Sequence, residues 1–362
     1  MLITLIAGAR PNFMKIAPIV HAIQKAQKTG QNIQYRLVHT GQHYDEKMSE
    51  TFFRELNIPR PDVNLGCGGG TQGEQTAAII LAFEKELMTN PADLVMVVGD
   101  VTSTMACSIV AKKQNTKVAH VEAGIRSFDL SMPEEINRMV TDCLTDYFFT
   151  TTLWAGENLQ KAGIPKERIY WVGNVMIDTL LKNMPRFRKP AIWDMAGLQQ
   201  EKYLVMTLHR PANVDEETKF NELLEAILKG AGNMPVIFPV HPRTRKSFNT
   251  GMIKNIGNLV LTDPMGYLEF NYLVQHAKAV ITDSGGITEE TTVMGVPCIT
   301  LRDNTERPET VETGTNELIG TNPKAIQPAF IKLFEGNWKK GAVPEKWDGK
   351  ASERILLQLS KI

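Results

Sequence analysis

This chain of 362 residues has no net charge: Lys and Arg number 40, and Asp and Glu number 40. No bulk field therefore draws it to nucleic acid or to an anionic membrane, and any anion site must be local. Cysteine is scarce. Cys67, Cys107, Cys143 and Cys298 lie far apart with no C-x-x-C pair, which argues against a disulfide framework and for reduced, mostly buried thiols in a cytoplasmic protein. No apolar run reaches the roughly 18 residues that a membrane span needs. Met1-Leu-Ile-Thr-Leu-Ile-Ala-Gly8 has no basic segment ahead of its apolar run, so it reads as a first strand and not as a signal peptide. G-x-x-x-x-G-K-[ST] is absent, and no G-x-G-x-x-G follows the first strand, which disfavours a P-loop NTPase and an NAD site. The histidines show no H-E-x-x-H or other ligand spacing, so neither a metal nor a cofactor is expected.

What is present is an alternation of apolar strands and longer helical patterns. Strands are expected at Leu2–Ala7, Tyr35–His39, Leu94–Val98, Lys117–Val121, Tyr147–Thr150 and Ile169–Val172. Helical patterns lie between them, the first at Ile16–Lys28. Strands this apolar, joined by crossovers of helical length, predict a parallel sheet covered on both faces. The pattern breaks at Asn183-Met-Pro-Arg-Phe-Arg-Lys-Pro190 and then restarts with strands at Tyr203–Leu208, Val236–Pro239, Leu259–Leu261 and Val280–Thr282. The expected fold is α/β: two Rossmann-like, doubly wound domains facing a cleft. Their expected bounds are 1–180 and 181–345, with a terminal helix in 346–362. Open sheets of this kind bind ligands at the carboxyl ends of their strands.

The stretch Ala279-Val-Ile-Thr-Asp-Ser-Gly-Gly-Ile-Thr-Glu-Glu-Thr-Thr-Val-Met-Gly-Val-Pro297 carries the strongest local signal. A buried strand runs into Asp283 and Ser284 as cap side chains, then Gly285 and Gly286, then a helix over Ile287–Met294. Backbone N–H groups and the positive end of the helix dipole would meet a phosphate or diphosphate there. Glu289 and Glu290 lie just inside the helix, where one can accept hydrogen bonds from a ribose. A capped helix with no ligand is the plain alternative for these residues taken alone.

Other chemistry-bearing residues also follow strands. Arg10 and Lys15 are placed at the first strand end and helix start, suited to balancing a diphosphate, or else they are two surface cations. Asp100 ends one strand and Glu122 the next, and Glu134 follows in Ser131-Met-Pro-Glu-Glu-Ile-Asn-Arg138. Asp100 has a structural excuse as a helix cap, and Glu134 as the partner of Ser131 in a capping box. Glu122 has none, because a carboxylate at so apolar a strand end needs a partner. Three carboxylates around one cleft fit acid–base work. His209, Arg210 and His241 follow strands of the second half, and Arg302, Glu306 and Arg307 form a charged loop one strand after the Gly-Gly turn.

Taken in order, Gly8-Ala-Arg-Pro…Lys15, Val98-Gly-Asp100, His120-Val-Glu-Ala-Gly124, Pro133-Glu-Glu-Ile-Asn-Arg138, Gly173-Asn-Val-Met-Ile-Asp178, Leu208-His-Arg210, Asp283-Ser-Gly-Gly-Ile-Thr-Glu-Glu290 and Arg302-Asp-Asn-Thr-Glu-Arg-Pro-Glu309 form a set. That set resembles the non-hydrolysing UDP-N-acetylglucosamine 2-epimerases over nearly the whole chain. The resemblance implies a glycosyltransferase-B type fold whose last helix crosses back to the first domain. It also implies inversion at C2 of a UDP-sugar without NAD, by elimination and re-addition of UDP through a 2-acetamidoglucal. By motif match Asp100, Glu122, Glu134 and His209 are catalytic. Arg10, Lys15, Arg138, His241, Phe270, Ser284, Gly285, Gly286, Glu290 and Arg307 bind substrate, with Phe270 stacking uracil and Glu290 holding ribose hydroxyls.

The expected partners are the UDP-sugar and a second copy of the chain as a homodimer, with no nucleic acid and no membrane. Many bacterial members use Ala-Gln-His-Arg and an Arg-bearing stretch to bind a second, activating UDP-GlcNAc. This chain has Thr40-Gly-Gln-His-Tyr-Asp45 and Gly66-Cys-Gly-Gly-Gly-Thr-Gln72 instead, a departure that counts against such activation. Relatives acting on UDP-2,3-diacetamido-glucuronic acid share some of these features. A retaining glycosyltransferase and a nucleotide-sugar sensor without turnover are the remaining alternatives.

Overall fold

The computed structural model describes residues 1–42, 46–214, 216–240 and 257–361, with the side chains of 10, 46–50, 211 and 212 outside the description. The chain divides into two compact units, Met1–Lys182 with Glu345–Ile362, and Asn183–Pro344.

The first unit is built on seven parallel strands: β1 Leu2–Ala7, β2 Gln34–His39, β3 Val63–Asn64, β4 Leu94–Val98, β5 Lys117–Val121, β6 Tyr147–Thr150 and β7 Ile169–Trp171. Their order is β3-β2-β1-β4-β5-β6-β7, with Leu5 of β1 beside Leu37 on one side and Met96 on the other. Every residue of β4 is buried, which is why its sequence is a continuous apolar run. The order reverses between β1 and β4, and the loops leaving those two strands are where such a sheet takes a ligand.

Among its described residues the second unit repeats the plan with six strands: β8 Leu204–Thr207, β9 Val236–Pro239, β10 Leu259–Thr262, β11 Ala279–Thr282, β12 Cys298–Thr300 and β13 Asn316–Leu318. The order β10-β9-β8-β11-β12-β13 puts its reversal between β8 and β11. Alternate residues of one strand feed opposite cores. Leu204 and Met206 join Phe238, Ile281 and Phe330, while Val205 joins Ile237, Val280 and Leu273. The strands that sequence periodicity does not show, β3 and β13, are edge strands of two and three residues, too short for an alternation to register.

The first helix runs Arg10–Lys28, six residues earlier than the apolar pattern predicts. Pro11 is tolerated in the first turn, where its missing N–H has no intrahelical partner to lose. Asn12 Oδ1 accepts the N–H groups of Gly8 and Ala9 at 2.9 and 3.0 Å. Pro18 inside the helix deprives the Met14 carbonyl of its donor, and Thr179 Oγ1 supplies one at 2.6 Å. At the other end of the chain Asp178 accepts the N–H groups of Ala351 and Ser352 at 3.0 and 2.7 Å, capping the terminal helix Ala351–Leu359. The four cysteines are unlinked, and Cys67, Cys107 and Cys298 are buried. Among the described residues no helix is long and apolar enough to cross a membrane.

Candidate active site

In the first unit the polar groups gather at the ends of β1, β4 and β5. Lys15, predicted at a helix start, sits on the second turn of the first helix and is buried. Its Nζ stands 2.7 Å from Glu122 Oε2, with Glu122 only 3% exposed. That is the partner the apolar strand end required. Glu122 has φ 71, in the left-handed region that a bulky residue occupies only when its surroundings hold it there. The same pair explains Gly99, at φ 67: a Cβ there would lie 2.7 Å from Lys15 Nζ.

Asp100 does not cap the following helix, Thr102–Lys113, whose N-cap Val101 has no side-chain bond. It turns to Arg138, whose Nε and Nη2 lie 3.1 and 2.5 Å from Asp100 Oδ2. Arg138 Nη1 reaches Glu135 Oε2 at 2.8 Å. Burial raises the Glu135 carboxyl, but the Ser127 and Phe128 amides and the Arg138 guanidinium hold it below its ordinary value. The predicted capping box of Ser131 and Glu134 does not form. Helix Pro133–Leu144 has Met132 at its N-cap, because Pro133 starts the helix one residue too late for Ser131, and Ser131 Oγ donates to Asp129 Oδ1 at 2.6 Å. Glu134 is exposed, and its neighbour Glu135 is the buried acid. The Pro-Glu-Glu run hides that choice, because Glu134 and Glu135 stand four and three residues before Arg138 and either spacing brings helical side chains together. Beneath this cluster His120 Nδ1 stands 2.7 Å from Asp142 Oδ1 and its Nε2 2.8 Å from the Gly99 carbonyl oxygen, so the loop that carries Asp100 is braced from below.

In the second unit the helix after β11 runs Gly285–Met294. Ser284 is its N-cap, with no side-chain cap bond. Asp283 faces away from the helix and accepts from the N–H groups of His209 and Arg210, so the two predicted cap side chains leave the helix start without a side-chain acceptor. A Cβ on Gly285 would lie 2.8 Å from Glu306 Oε1, so glycine keeps this approach open. The charged loop is not a solvated one. Arg302, Glu306 and Arg307 are all buried, Arg302 paired with Glu306 and Arg307 Nε 2.6 Å from Glu289 Oε1. Glu290 is buried, and Tyr267 Oη donates to its Oε1 at 2.8 Å. Burial pushes the Glu290 carboxyl up to about 7, against the hydrogen bond from Tyr267. Phe270, one turn on from Tyr267, is half-buried against the core around Val205 and Val280. His209 projects outward with its side chain 64% exposed.

Of the predicted residues, then, Lys15 and Glu122 meet directly, as do Asp100 and Arg138. Ser284, Gly285 and Gly286 open one helix, and Glu290 lies inside it. Among the described residues Glu134 makes no hydrogen bond or ion pair with any of them. Arg10 begins the first helix, but its side chain, like all of His43 and His241, lies outside the described residues. Among those residues no group of three or more His, Cys, Asp and Glu is placed to hold a metal ion.

Two parallel sheets with matching strand order, each carrying its polar residues where that order reverses, define a two-Rossmann protein of glycosyltransferase-B type. A lipopolysaccharide outer core galactosyltransferase shares this fold alone, at 14% identity and a TM-score of 0.56. The family described as UDP-N-acetylglucosamine 2-epimerase matches residues 25–360. The chain belongs to that family, whose members are isomerases. It is 42% identical to a UDP-N-acetylglucosamine 2-epimerase of Methanocaldococcus jannaschii, over 98% of each chain. It is 38% identical to a UDP-2,3-diacetamido-2,3-dideoxy-D-glucuronate 2-epimerase of Pseudomonas aeruginosa, over the full length of both. The solved Methanocaldococcus jannaschii UDP-GlcNAc 2-epimerase, in complex with UDP-GlcNAc and UDP, covers all of this chain with a TM-score of 0.89 and 40% identity.

Proposed function

We propose that this protein interconverts UDP-GlcNAc and UDP-ManNAc. The observation that carries the reading is a full-length kinship to a UDP-GlcNAc 2-epimerase together with two sets of groups of the required chemistry. The second unit takes the uridine diphosphate: Phe270 stacks the base, Glu290 holds the ribose, and the helix start at Ser284–Gly286 meets the diphosphate, aided by Arg307. The first unit supplies Asp100, Glu122 and Glu134 as the proton-handling groups at the sugar, with Arg138 binding it and Arg10 and Lys15 countering negative charge.

The C2 hydrogen is not acidic in the ground state, so bond-breaking at C1 must begin first. As UDP departs with the C1–O electron pair, a carboxylate takes the C2 proton and the C2–H pair forms the C1=C2 double bond of a 2-acetamidoglucal. Return of a proton to the opposite face and of UDP to C1 gives the epimer. Two faces require two acid–base groups, which is a use for separate carboxylates. Donors aimed at the leaving diphosphate each lower the barrier by on the order of 2–4 kcal/mol.

Incubation with UDP-GlcNAc in deuterated water is expected to yield UDP-ManNAc with deuterium at C2 in both sugars, read by proton NMR. UDP-2,3-diacetamido-glucuronate in a parallel tube tests the second substrate, favoured by the Pseudomonas aeruginosa relative. Turnover of that sugar alone moves the assignment to it, and turnover of neither defeats the proposal. The same reading carries a homodimer in the cytoplasm, which sedimentation of the purified protein checks for its oligomeric part.

A ribose hydroxyl donates best to an ionised carboxylate, and Glu290 stands near 7 without ligand. Protonation below that value therefore opposes binding. Uridine, which has no phosphate to titrate, is expected to bind roughly tenfold more weakly at about pH 6 than at about pH 8. Glu290→Gln flattens that profile in a calorimetric titration.

A further inference from the structure

Asp283 leaves the end of β11 with its side chain wholly buried, and its carboxylate turns to the segment after β8, His209 to Asn213, and not to the helix that follows it. Its Oδ1 lies 2.7 Å from His209 Nδ1. The His209 N–H approaches both carboxylate oxygens, at 3.2 and 3.1 Å. Oδ2 also accepts from the Arg210 N–H at 2.9 Å and from Asn213 Nδ2 at 3.1 Å. Asn213 Nδ2 is tied in turn to the Leu301 carbonyl at 3.1 Å, and Arg210 Nε to the Asp283 carbonyl at 3.0 Å. The carboxylate thus cannot rotate without breaking bonds to the loop after β8. Burial raises its proton affinity, but the donors from His209, Arg210 and Asn213 outweigh it and hold the group below its ordinary value.

An ionised carboxylate can only accept, so the ring nitrogen facing it carries a proton. In a neutral imidazole the other nitrogen then bears the lone pair, and which nitrogen does so is set by the bond the first one makes. An exposed histidine on a loop has several rotamers and both tautomers open to it. Here one anion, buried and held by several donors, removes that choice. We infer that Asp283 is the positioning residue of His209, holding the imidazole as the Nδ1–H tautomer with Nε2 turned outward as the acceptor toward a bound nucleotide sugar. This rests on the proposed epimerase activity and on the motif match that makes His209 one of its catalytic residues. It also accounts for an aspartate in a position where a cap was expected and none is made.

The test uses the full chain with 15N-labelled histidine, above about pH 8 where an ordinary imidazole is neutral. His209 is assigned by the signal lost in His209→Gln. The wild type is expected to show a protonated Nδ1 and an unprotonated Nε2; the reverse pattern overturns the inference. Asp283→Asn keeps the shape but offers an amide donor, and it is expected to move His209 toward the Nε2–H tautomer and to lower kcat about a hundredfold, with KM changed far less.

A merely structural role would lower kcat in every background. Placed in His209→Gln, Asp283→Asn is therefore expected to change kcat by less than about threefold, and a second hundredfold loss there overturns the inference. Should Asp283→Asn not fold, the wild-type tautomer alone decides. That readout needs no turnover, so a protein inactive on either sugar defeats the functional reading without touching the tautomer result.

Discussion

Glu122→Gln slows turnover about a thousandfold with KM for UDP-GlcNAc nearly unchanged. The carboxylate ends β5 buried, 2.7 Å from the Lys15 ammonium. The amide has the same shape and still accepts from Lys15, but it cannot take a proton from carbon. A group that acts only in the transition state lowers kcat and kcat/KM together, which is the pattern expected. Deuterium exchange at C2 falls by the same factor, because exchange and inversion share the proton-removal step.

The substitution also removes the countercharge of a buried cation, at a cost of about 3 kcal/mol. A thermal melt alongside the assay separates unfolding from chemistry. Glutamine bears the same backbone penalty at φ 71 as glutamate, so the strain cancels from the comparison, whereas glycine would relieve it and confuse the result. A folded Glu122→Gln protein within tenfold of the wild-type rate would reduce Glu122 to a structural partner of Lys15.

Arg138→Met costs about 3–5 kcal/mol of stability. Arg138 is buried between Asp100 and Glu135, at 2.5 and 2.8 Å, and its loss takes a buried cation from beside two carboxylates. The effect depends on pH. In the wild type Glu135 lies below its ordinary value of 4.5, so its contribution is present above that value and is lost as pH falls through the lowered one. Without the guanidinium, burial dominates and Glu135 moves upward. The deficit of the variant is therefore largest at neutral and alkaline pH and shrinks as Glu135 protonates. Urea denaturation at about pH 8 and about pH 5 checks this. An equal deficit at both would mean that Arg138 acts by packing alone.

Much of the architecture was legible in the residue order. The bounds of β4, β5 and β6 match the expected strands to the residue, because strands largely buried on both faces are largely apolar. The helix after β11 was readable from two glycines after a strand, though it begins at Gly285, two residues before the expected Ile287, and Asp100 and Glu122 were singled out by their places beyond strand ends. The short edge strands β3 and β13 were not legible. Nor was the choice of Glu135 over Glu134 as the buried acid, since two adjacent glutamates look alike until one is turned inward.

Local chemistry decided by itself where the longer strands and helices form and which loops hold charge, since those follow from periodicity and turn residues. Only the tertiary structure decided the partners. Lys15 meets Glu122 across 107 positions, and Thr179 fills the Met14 carbonyl left by Pro18 across 165. Asp283 serves His209 across 74 and leaves the adjoining helix without its carboxylate. A buried charge accepts whatever counterpart the packed sheets bring within about 3 Å of it, and no spacing along the chain encodes that distance.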